Sequence, residues 1–411
     1  MRKITSLVMI LLLSCSLLFL PLTLTAQAAR TNNYSVVLVH GFAGWGKGEL
    51  LGYNYWGGLG NIEADLTRQG YTTYTAAVGP FSSNWDRACE LYAYIKGGKV
   101  DYGVAHAAKF GHSRFGRTFP GLINNWGEGD NRKVHLIGHS MGGQTIRTLV
   151  QLLEAGSAEE MAATQSSELS PLFTGGKSWV RSVTTVSTPN DGTTMANAIN
   201  GAIPFAQQLI GMASSAAGLT NQQIYDFKLD QWGLKRASGE SYASYSNRVW
   251  NSPIWTNSKD ISAWDLSPNG ARELNTWVKA SPNVYYFSIG TEATHQELFG
   301  SHQIANITMN AFLWPFAAHM GAYTSNQPGS VLVNSSWWKN DGVVNLNSMD
   351  APQVGSTDQV KPYSSIVQPG IWYYVRTAVN TDHMQIVGHY NILPFYYYFR
   401  DQANILGTLP Q

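Results

Sequence analysis

The chain has 411 residues, 27 of them basic and 26 acidic, for a formal net charge of +1 at pH 7. A balance so close to zero implies no polyanionic partner, nucleic acid included. With 12% aromatic and only 13% charged residues, the composition suits the handling of apolar ligands, and equally a large packed core.

The first residues read as a secretory signal peptide: Arg2 and Lys3, an apolar core from Ile4 to about Leu24, then the small-x-small site Ala26-Gln27-Ala28. Ser14, Ser16 and Pro21 argue against a retained membrane anchor. The apolar core also runs past Leu12-Leu13-Ser14-Cys15, which favours cleavage near Ala28 over a lipoprotein site. Residues 29–411 then read as one α/β domain with insertions, secreted and without stable membrane insertion. Cys15 leaves with the signal and Cys89 stands alone, so no intramolecular disulfide forms and stability comes from packing or metal ions.

Tyr34-Ser35-Val36-Val37-Leu38-Val39 predicts a buried strand that delivers the glycine-rich loop His40-Gly41-Phe42-Ala43-Gly44-Trp45-Gly46. A helix over 61–69 and a strand over 71–78 continue a β-α-β rhythm. Residues 80–120, rich in Gly, His and aromatics, break that rhythm. They predict an irregular insertion that carries a site or a fixed loop and contains Asp86, His106 and His112. Then Lys133-Val134-His135-Leu136-Ile137 runs into Gly138-His139-Ser140-Met141-Gly142, and a helix-type segment, 145–153, follows at once. Strand, sharp turn and helix in that order make a nucleophile elbow with Ser140 at its apex, where Gly138 and Gly142 leave room for close backbone approach.

A polar stretch, 156–170, leads to a strand over 179–186 and the turn cluster Ser187-Thr188-Pro189-Asn190-Asp191-Gly192. Between Met195 and Leu219 there is no charged residue, and Ile199, Ile203, Ala206, Ile210, Ala213 and Ala217 recur every three or four positions, one apolar stripe on a helix. Such a stripe suits plain core. Between flanking glycines, residues 192–220 also predict a lid. Each large apolar side chain it hides stabilises closure by roughly 1.5–3 kcal/mol, so it stays shut in water and is released at a lipid surface. Residues 225–282 read as a cap, 284–289 as a strand, and 394–406 as a last helix.

A serine hydroxyl is a poor nucleophile at neutral pH, so Ser140 needs a base and an acid that fixes the base's tautomer, met here in the order Ser, Asp, His. Of the downstream His295, His302, His319, His383 and His389, the choice is His383, in a late loop before Ile386-Val387. Asp341, in Asn340-Asp341-Gly342, is the candidate acid. Spacing alone leaves Asp265, Asp350 and Asp358 open, and Asn-Asp-Gly is also a hairpin signal. The backbone N–H groups of Phe42 and Met141 are the candidate oxyanion donors.

Several further runs carry a resemblance: His40-Gly41-Phe42-Ala43-Gly44-Trp45-Gly46, Tyr55-Trp56-Gly57-Gly58, Val78-Gly79-Pro80-Phe81-Ser82-Ser83-Asn84-Trp85-Asp86-Arg87, Arg114-Phe115-Gly116-Arg117-Thr118 and Tyr225-Asp226-Phe227-Lys228-Leu229-Asp230-Gln231-Trp232. In these the chain resembles the secreted true lipases of the Bacillus and Staphylococcus type, over nearly all of residues 29–411. The resemblance implies an α/β-hydrolase fold with a mostly parallel sheet and a helical lid. It implies a triacylglycerol lipase acting on lipid esters at an oil–water interface through Ser140, Asp341 and His383. It also implies a structural zinc held by Asp86, His106, His112 and Asp260, a donor set that suits tetrahedral zinc. The family's calcium carboxylates are replaced by Gln385 and Tyr390, neither of which supplies a charged oxygen, so calcium is expected to be weak or absent. A phospholipase A1 or short-chain esterase on the same scaffold, or an inactive relative that only binds apolar surfaces, are the alternative readings.

Overall fold

The computed structural model describes residues 29–411 apart from 124, 130–132, 198–203, 205, 208–209, 212–224 and 391–394. Residues 1–28, read above as a signal peptide, lie outside the described residues. Seven strands form the main sheet: β1 (Ser35–Val39), β2 (Thr73–Ala76), β5 (Val134–His139), β6 (Val180–Val186), β7 (Tyr285–Glu292), β10 (Gln359–Pro362) and β11 (Ile371–Val379). Their order is β10-β11-β7-β6-β5-β1-β2, and every pairing is parallel. Two antiparallel hairpins stand apart, β3 (Gly98–Asp101) with β4 (Phe115–Phe119) and β8 (Thr294–Gln296) with β9 (Gln303–Ala305).

Alternation along the strands builds two cores. Val36 and Leu38 of β1 and Ile137 of β5 face one, with Ile62 and Leu66 of α1 (Ile62–Arg68) and Phe399 and Ala403 of the C-terminal helix Tyr396–Gly407. Val37, Val39 and Leu136 face the other, with Leu91 of α2 (Asn84–Lys96) and Ile146 and Leu149 of the helix Met141–Ala155. Burial on both faces is why these strands read as unbroken apolar runs.

The insertion, 80–120, is more regular than its composition predicts. It holds α2, the β3–β4 hairpin and α3 (Val104–Phe110). The Ser83 side chain caps α2 by accepting from Asp86 N, and Gly97, at φ 90°, ends it. The helix has little amphipathic contrast because polar Asn84, Asp86, Arg87 and Glu90 are buried along with its apolar residues. The helix from Met141 to Ala155 is α4. In the predicted lid, Thr194–Asn197 is one 3-10 turn, Pro204, Ala206, Gln207, Ile210 and Gly211 are helical, and Ala206 and Ile210 are buried. Ile199, Ile203, Ala213 and Ala217 lie outside the described residues. Residues 225–282, the predicted cap, contain short helices, of which the last is α5 (Pro268–Trp277). Among the described residues no helix is long and apolar enough to cross a membrane.

Trp372 on β11 is fully buried, and its indole N–H donates to Asp358 Oδ2 at 3.2 Å. Trp372→Ala is expected to lower the unfolding free energy by about 3–5 kcal/mol, read from urea denaturation. A loss under about 1 kcal/mol would mean that β11 is not an integral strand.

Candidate active site

Ser140 follows the last residue of β5 and caps the N-terminus of α4, with φ 56° and ψ −134°. That conformation is strained for any residue with a Cβ. It is held by Ser140 N donating to Val186 O at 2.9 Å and by Gly143 N donating to Ser140 O at 3.0 Å. The elbow glycines are steric requirements: a Cβ on Gly138 would lie 2.4 Å from Gly142 C, and one on Gly142 would lie 2.2 Å from Val39 O. A Cβ on Gly41 would meet Ser140 Cβ at 2.5 Å, so the loop after β1 passes directly over the serine.

Ser140 and His383 line one cavity with Phe42, Tyr55, Met195, Leu266, Val343 and Val344, a mostly apolar wall around two polar groups. His383 Nδ1 lies 2.8 Å from Asp341 Oδ2, and His383 N donates to Asp341 O at 3.1 Å. Asp341 is fully buried with every lone-pair direction matched. Oδ1 accepts from Val343 N at 3.0 Å and Val344 N at 2.8 Å, while Oδ2 accepts from Thr291 Oγ1 at 2.6 Å as well as from His383. Such a carboxylate fixes the His383 Nδ1–H tautomer and turns Nε2 outward. The Asn340-Asp341-Gly342 segment is a side-chain-closed turn, and Val343 and Val344 serve it as donors rather than opening a strand. Sequence reasoning missed Thr291, at the end of β7, because its role depends on strand pairing.

Six of the other candidates are engaged elsewhere. Asp265 accepts from Asn84 N, Asp350 from Ala351 N, and Asp358 from Ala280 N. His295 pairs with Asn306, His302 with Glu297 and His389 with Tyr55 O. Met141 opens α4 fully buried, and Phe42 lies on the cavity wall. Under the Phe42 loop sits a buried guanidinium: Arg87 donates through Nε to Thr145 Oγ1 at 2.7 Å, through Nη1 to Gly79 O at 2.7 Å, and through Nη2 to His40 O.

On the insertion, Asp86 of α2, His106 of α3 and His112 just beyond it meet Asp260 of the cap, with one ligating atom of each within 4.8 Å of all the others. His106 Nε2 is 3.3 Å from Asp86 Oδ1 and 3.1 Å from Asp260 Oδ1, and His112 Nε2 is 3.0 Å from Asp260 Oδ2. Yet Asp86 Oδ1, both Nε2 atoms and Asp260 Oδ2 are buried without a hydrogen-bond partner. Lone pairs converging on one point without mutual hydrogen bonds are what a cation would satisfy. His112 Nδ1 donates to Ser113 O at 2.9 Å, and Gln231 Nε2 holds Asp86 Oδ2 at 2.8 Å, so outer partners orient the donors. The cluster could therefore hold a metal ion, and it joins the insertion to the cap. At positions 385 and 390, Gln385 Nε2 donates to Thr308 O at 2.7 Å and Tyr390 is partly exposed at φ 60°.

A seven-stranded parallel sheet with helices on both faces, a strained serine on the turn after a central strand, and a histidine–aspartate pair beside it define an α/β-hydrolase. Residues 32–395 match the family model for the lipase-like, C-terminal domain. Lipase 1 of Staphylococcus aureus is 41% identical over 373 residues, 88% of this chain and 52% of that protein. The chain thus spans about half the length of the curated relatives it matches. Among solved structures, EstA from Clostridium botulinum is 50% identical with a TM-score of 0.89, covering 94% of this chain and 90% of its own. Lipase 1 from Pelosinus fermentans is 51% identical with a TM-score of 0.85, covering 92% and 100%. The chain belongs to the lipase-like family.

Two expectations follow from the buried ionisable groups and the four-residue cluster. Burial pushes the Asp265 carboxyl up to about 8 and the Glu90 carboxyl up to about 7. The folded chain then keeps protons that unfolded carboxylates lose near pH ~4, so stability falls as pH rises through about 7 to 8. Burial lowers His135 to about 3 and His389 to about 4, and holds His40 and His139 well below the ordinary histidine value. The unfolded chain takes up protons below about 6.5 that the folded chain refuses, so stability falls on that side too. Urea midpoints are expected to peak near neutral pH, and a midpoint still rising between about pH 7 and 9 would contradict the carboxyl assignments. The second expectation concerns the cluster. Elemental analysis should find about one divalent ion per chain, and chelation or Asp260→Ala should lower Tm. Metal-free protein with a chelator-insensitive Tm would remove the metal site.

Proposed function

We propose that the chain is a secreted triacylglycerol lipase that hydrolyses lipid esters through an acyl-enzyme. In this reading residues 1–28 are a cleaved signal peptide, and 29–411 are one hydrolase domain with a lid at about 192–220 and a cap at about 225–282. The observation that carries it is the strained Ser140 sharing an apolar cavity with a histidine whose Nδ1 is bound to a four-donor carboxylate. His383 Nε2 takes the Ser140 proton as Oγ attacks the ester carbonyl. Phe42 N–H and Met141 N–H hold the oxyanion, and the imidazolium returns the proton to the leaving alcohol. Water, deprotonated by the same ring, then releases the fatty acid and restores Ser140.

The Staphylococcus aureus and Pelosinus fermentans relatives are called lipases, which supports a lipid ester as substrate. So does the cavity wall, in which Phe42, Met195, Leu266, Val343 and Val344 offer an acyl chain apolar surface. Zinc is the ion proposed for Asp86, His106, His112 and Asp260. Bound there it would cross-link the insertion to the cap as a structural ion.

Ser140→Ala should abolish turnover, leaving less than about one part in a thousand, and should abolish labelling by a fluorophosphonate probe while Tm changes little. Retained hydrolysis would sink the assignment. Rates on long-chain triglyceride emulsion, phosphatidylcholine and p-nitrophenyl butyrate separate a lipase from a phospholipase or short-chain esterase. Zinc, and not calcium, should restore the Tm of the chelated protein.

A further inference from the structure

Tyr55 belongs to a turn that the serine-hydrolase pattern does not call for. Its carbonyl accepts from His389 Nε2 at 2.8 Å, in the turn beyond His383. The two turns meet backbone to backbone: a Cβ on Gly58 would lie 2.9 Å from Gly388 O, and one on Gly388 would lie 3.0 Å from Gly57 Cα. Anchored there and buried, the Tyr55 hydroxyl lies 3.0 Å from Gly41 N and 2.6 Å from His139 Nδ1, while His139 Nε2 lies 2.9 Å from His383 O.

One proton arrangement satisfies all of these contacts. Gly41 N–H can only donate, so the Tyr55 oxygen accepts there and directs its own proton at His139 Nδ1. That nitrogen is then bare. The ring carries its proton on Nε2 and gives it to the His383 carbonyl, which can only accept. Burial, followed by the charge of His383, holds His139 well below the ordinary histidine value, so the ring is neutral as the chain requires.

A second clamp grips the same loop from the other side. His40 Nε2 accepts from Val78 N at 3.2 Å, so its Nδ1 carries the proton and donates to Gly41 O at 2.9 Å, and Arg87 holds His40 O. Both ends of the peptide 40–41 and the carbonyl of the peptide 41–42 are thereby fixed. Phe42 N–H belongs to that second peptide and, the bond being trans, projects opposite Gly41 O.

We infer that Tyr55 is a positioning residue. Through the ordered chain from Gly41 N–H to the Tyr55 hydroxyl, the His139 ring and the His383 carbonyl, it sets the oxyanion loop and the backbone of the base against Ser140, the neighbour of His139. The inference rests on the roles proposed above for Ser140 and His383. Tyr55→Phe keeps the ring's packing against Trp45, whose ring centroid is 5.3 Å away, and removes only the hydroxyl.

On a soluble p-nitrophenyl ester, kcat per fluorophosphonate-titrated site is expected to fall about 10- to 100-fold with KM within about two-fold. Affinity for a boronic acid, which forms a tetrahedral adduct, should fall in parallel with kcat. His139→Gln keeps one acceptor and one donor in the same sense and should retain activity within about five-fold. His139→Leu should lose as much as Tyr55→Phe, and the double variant no more than either alone. Wild-type kcat per titrated site in Tyr55→Phe, or multiplicative losses in the double variant, would overturn the inference while leaving the Ser140 assignment standing. Failure of the probe to label Ser140 in the unaltered chain would overturn both.

Discussion

The backbone of Ser140 is the constraint on which the rest of the molecule depends. A non-glycine residue at φ 56° and ψ −134° costs about 1–3 kcal/mol and persists only where its surroundings over-determine it. Here they do so from every side. Val186 O on β6 takes its N–H, Gly41 closes over its Cβ, and Gly138, Gly142 and Gly143 allow β5, α4 and the end of β6 to approach without side chains between them. A Cβ on Gly143 would come 2.1 Å from Thr188 Oγ1. The spacing between β1, β5, β6 and α4 is thus set at the elbow, and the two cores are packed outward from it.

Among the described residues Cys89 is a free thiol, and buried polar bonding does the tying that packing alone would leave loose. Arg87, fully buried, joins α2 to the loops after β1 and β2 and to Thr145 of α4. Removing such a cation would strand three acceptors in the interior. The insertion is joined to the cap at several further points, among them the Asp86, His106, His112 and Asp260 cluster, the Ser82–Ile261 bridge, and Arg117, which binds both Asp226 and Asp230. Segments 80–120 and 225–282 interrupt the β-α-β rhythm at different places in the sequence, yet they form one assembly beside the site.

What was legible in the sequence was what local chemistry dictates. The apolar runs of β1, β5, β6 and β7 show because strands buried on both faces leave no polar alternation to mislead. The elbow shows because its glycines are sterically required. His383 and Asp341 were reachable through chain order and resemblance, and the structure brings them to 2.8 Å. Strand β11 was missed: Ile371–Val379 mixes Trp372, Tyr373 and Tyr374 with Arg376 and Thr377, and only its pairing with β7 and β10 makes it a strand. Helix α2 was hidden because its buried face carries Asn84, Asp86, Arg87 and Glu90, whose partners are far away in sequence. Thr291, Tyr55 and Gln231 escaped for the same reason, since a hydroxyl or amide announces nothing until the fold supplies its partner.

The histidines around the cavity make the same point in electrostatic terms. His40, His139 and His389 are all buried within one or two residues' reach of the site, and an imidazolium at any of them would sit beside the cation that the proposed mechanism forms on His383. Burial lowers all three, and each is also locked by a donor and an acceptor that fit only one neutral tautomer: Val78 N and Gly41 O for His40, Tyr55 and His383 O for His139, Tyr53 and Tyr55 O for His389. His383 differs in having a carboxylate on one nitrogen and the cavity on the other. Four imidazoles can therefore crowd one site with three of them held neutral, because hydrogen-bond sense, and not distance alone, fixes the tautomer of each of those three.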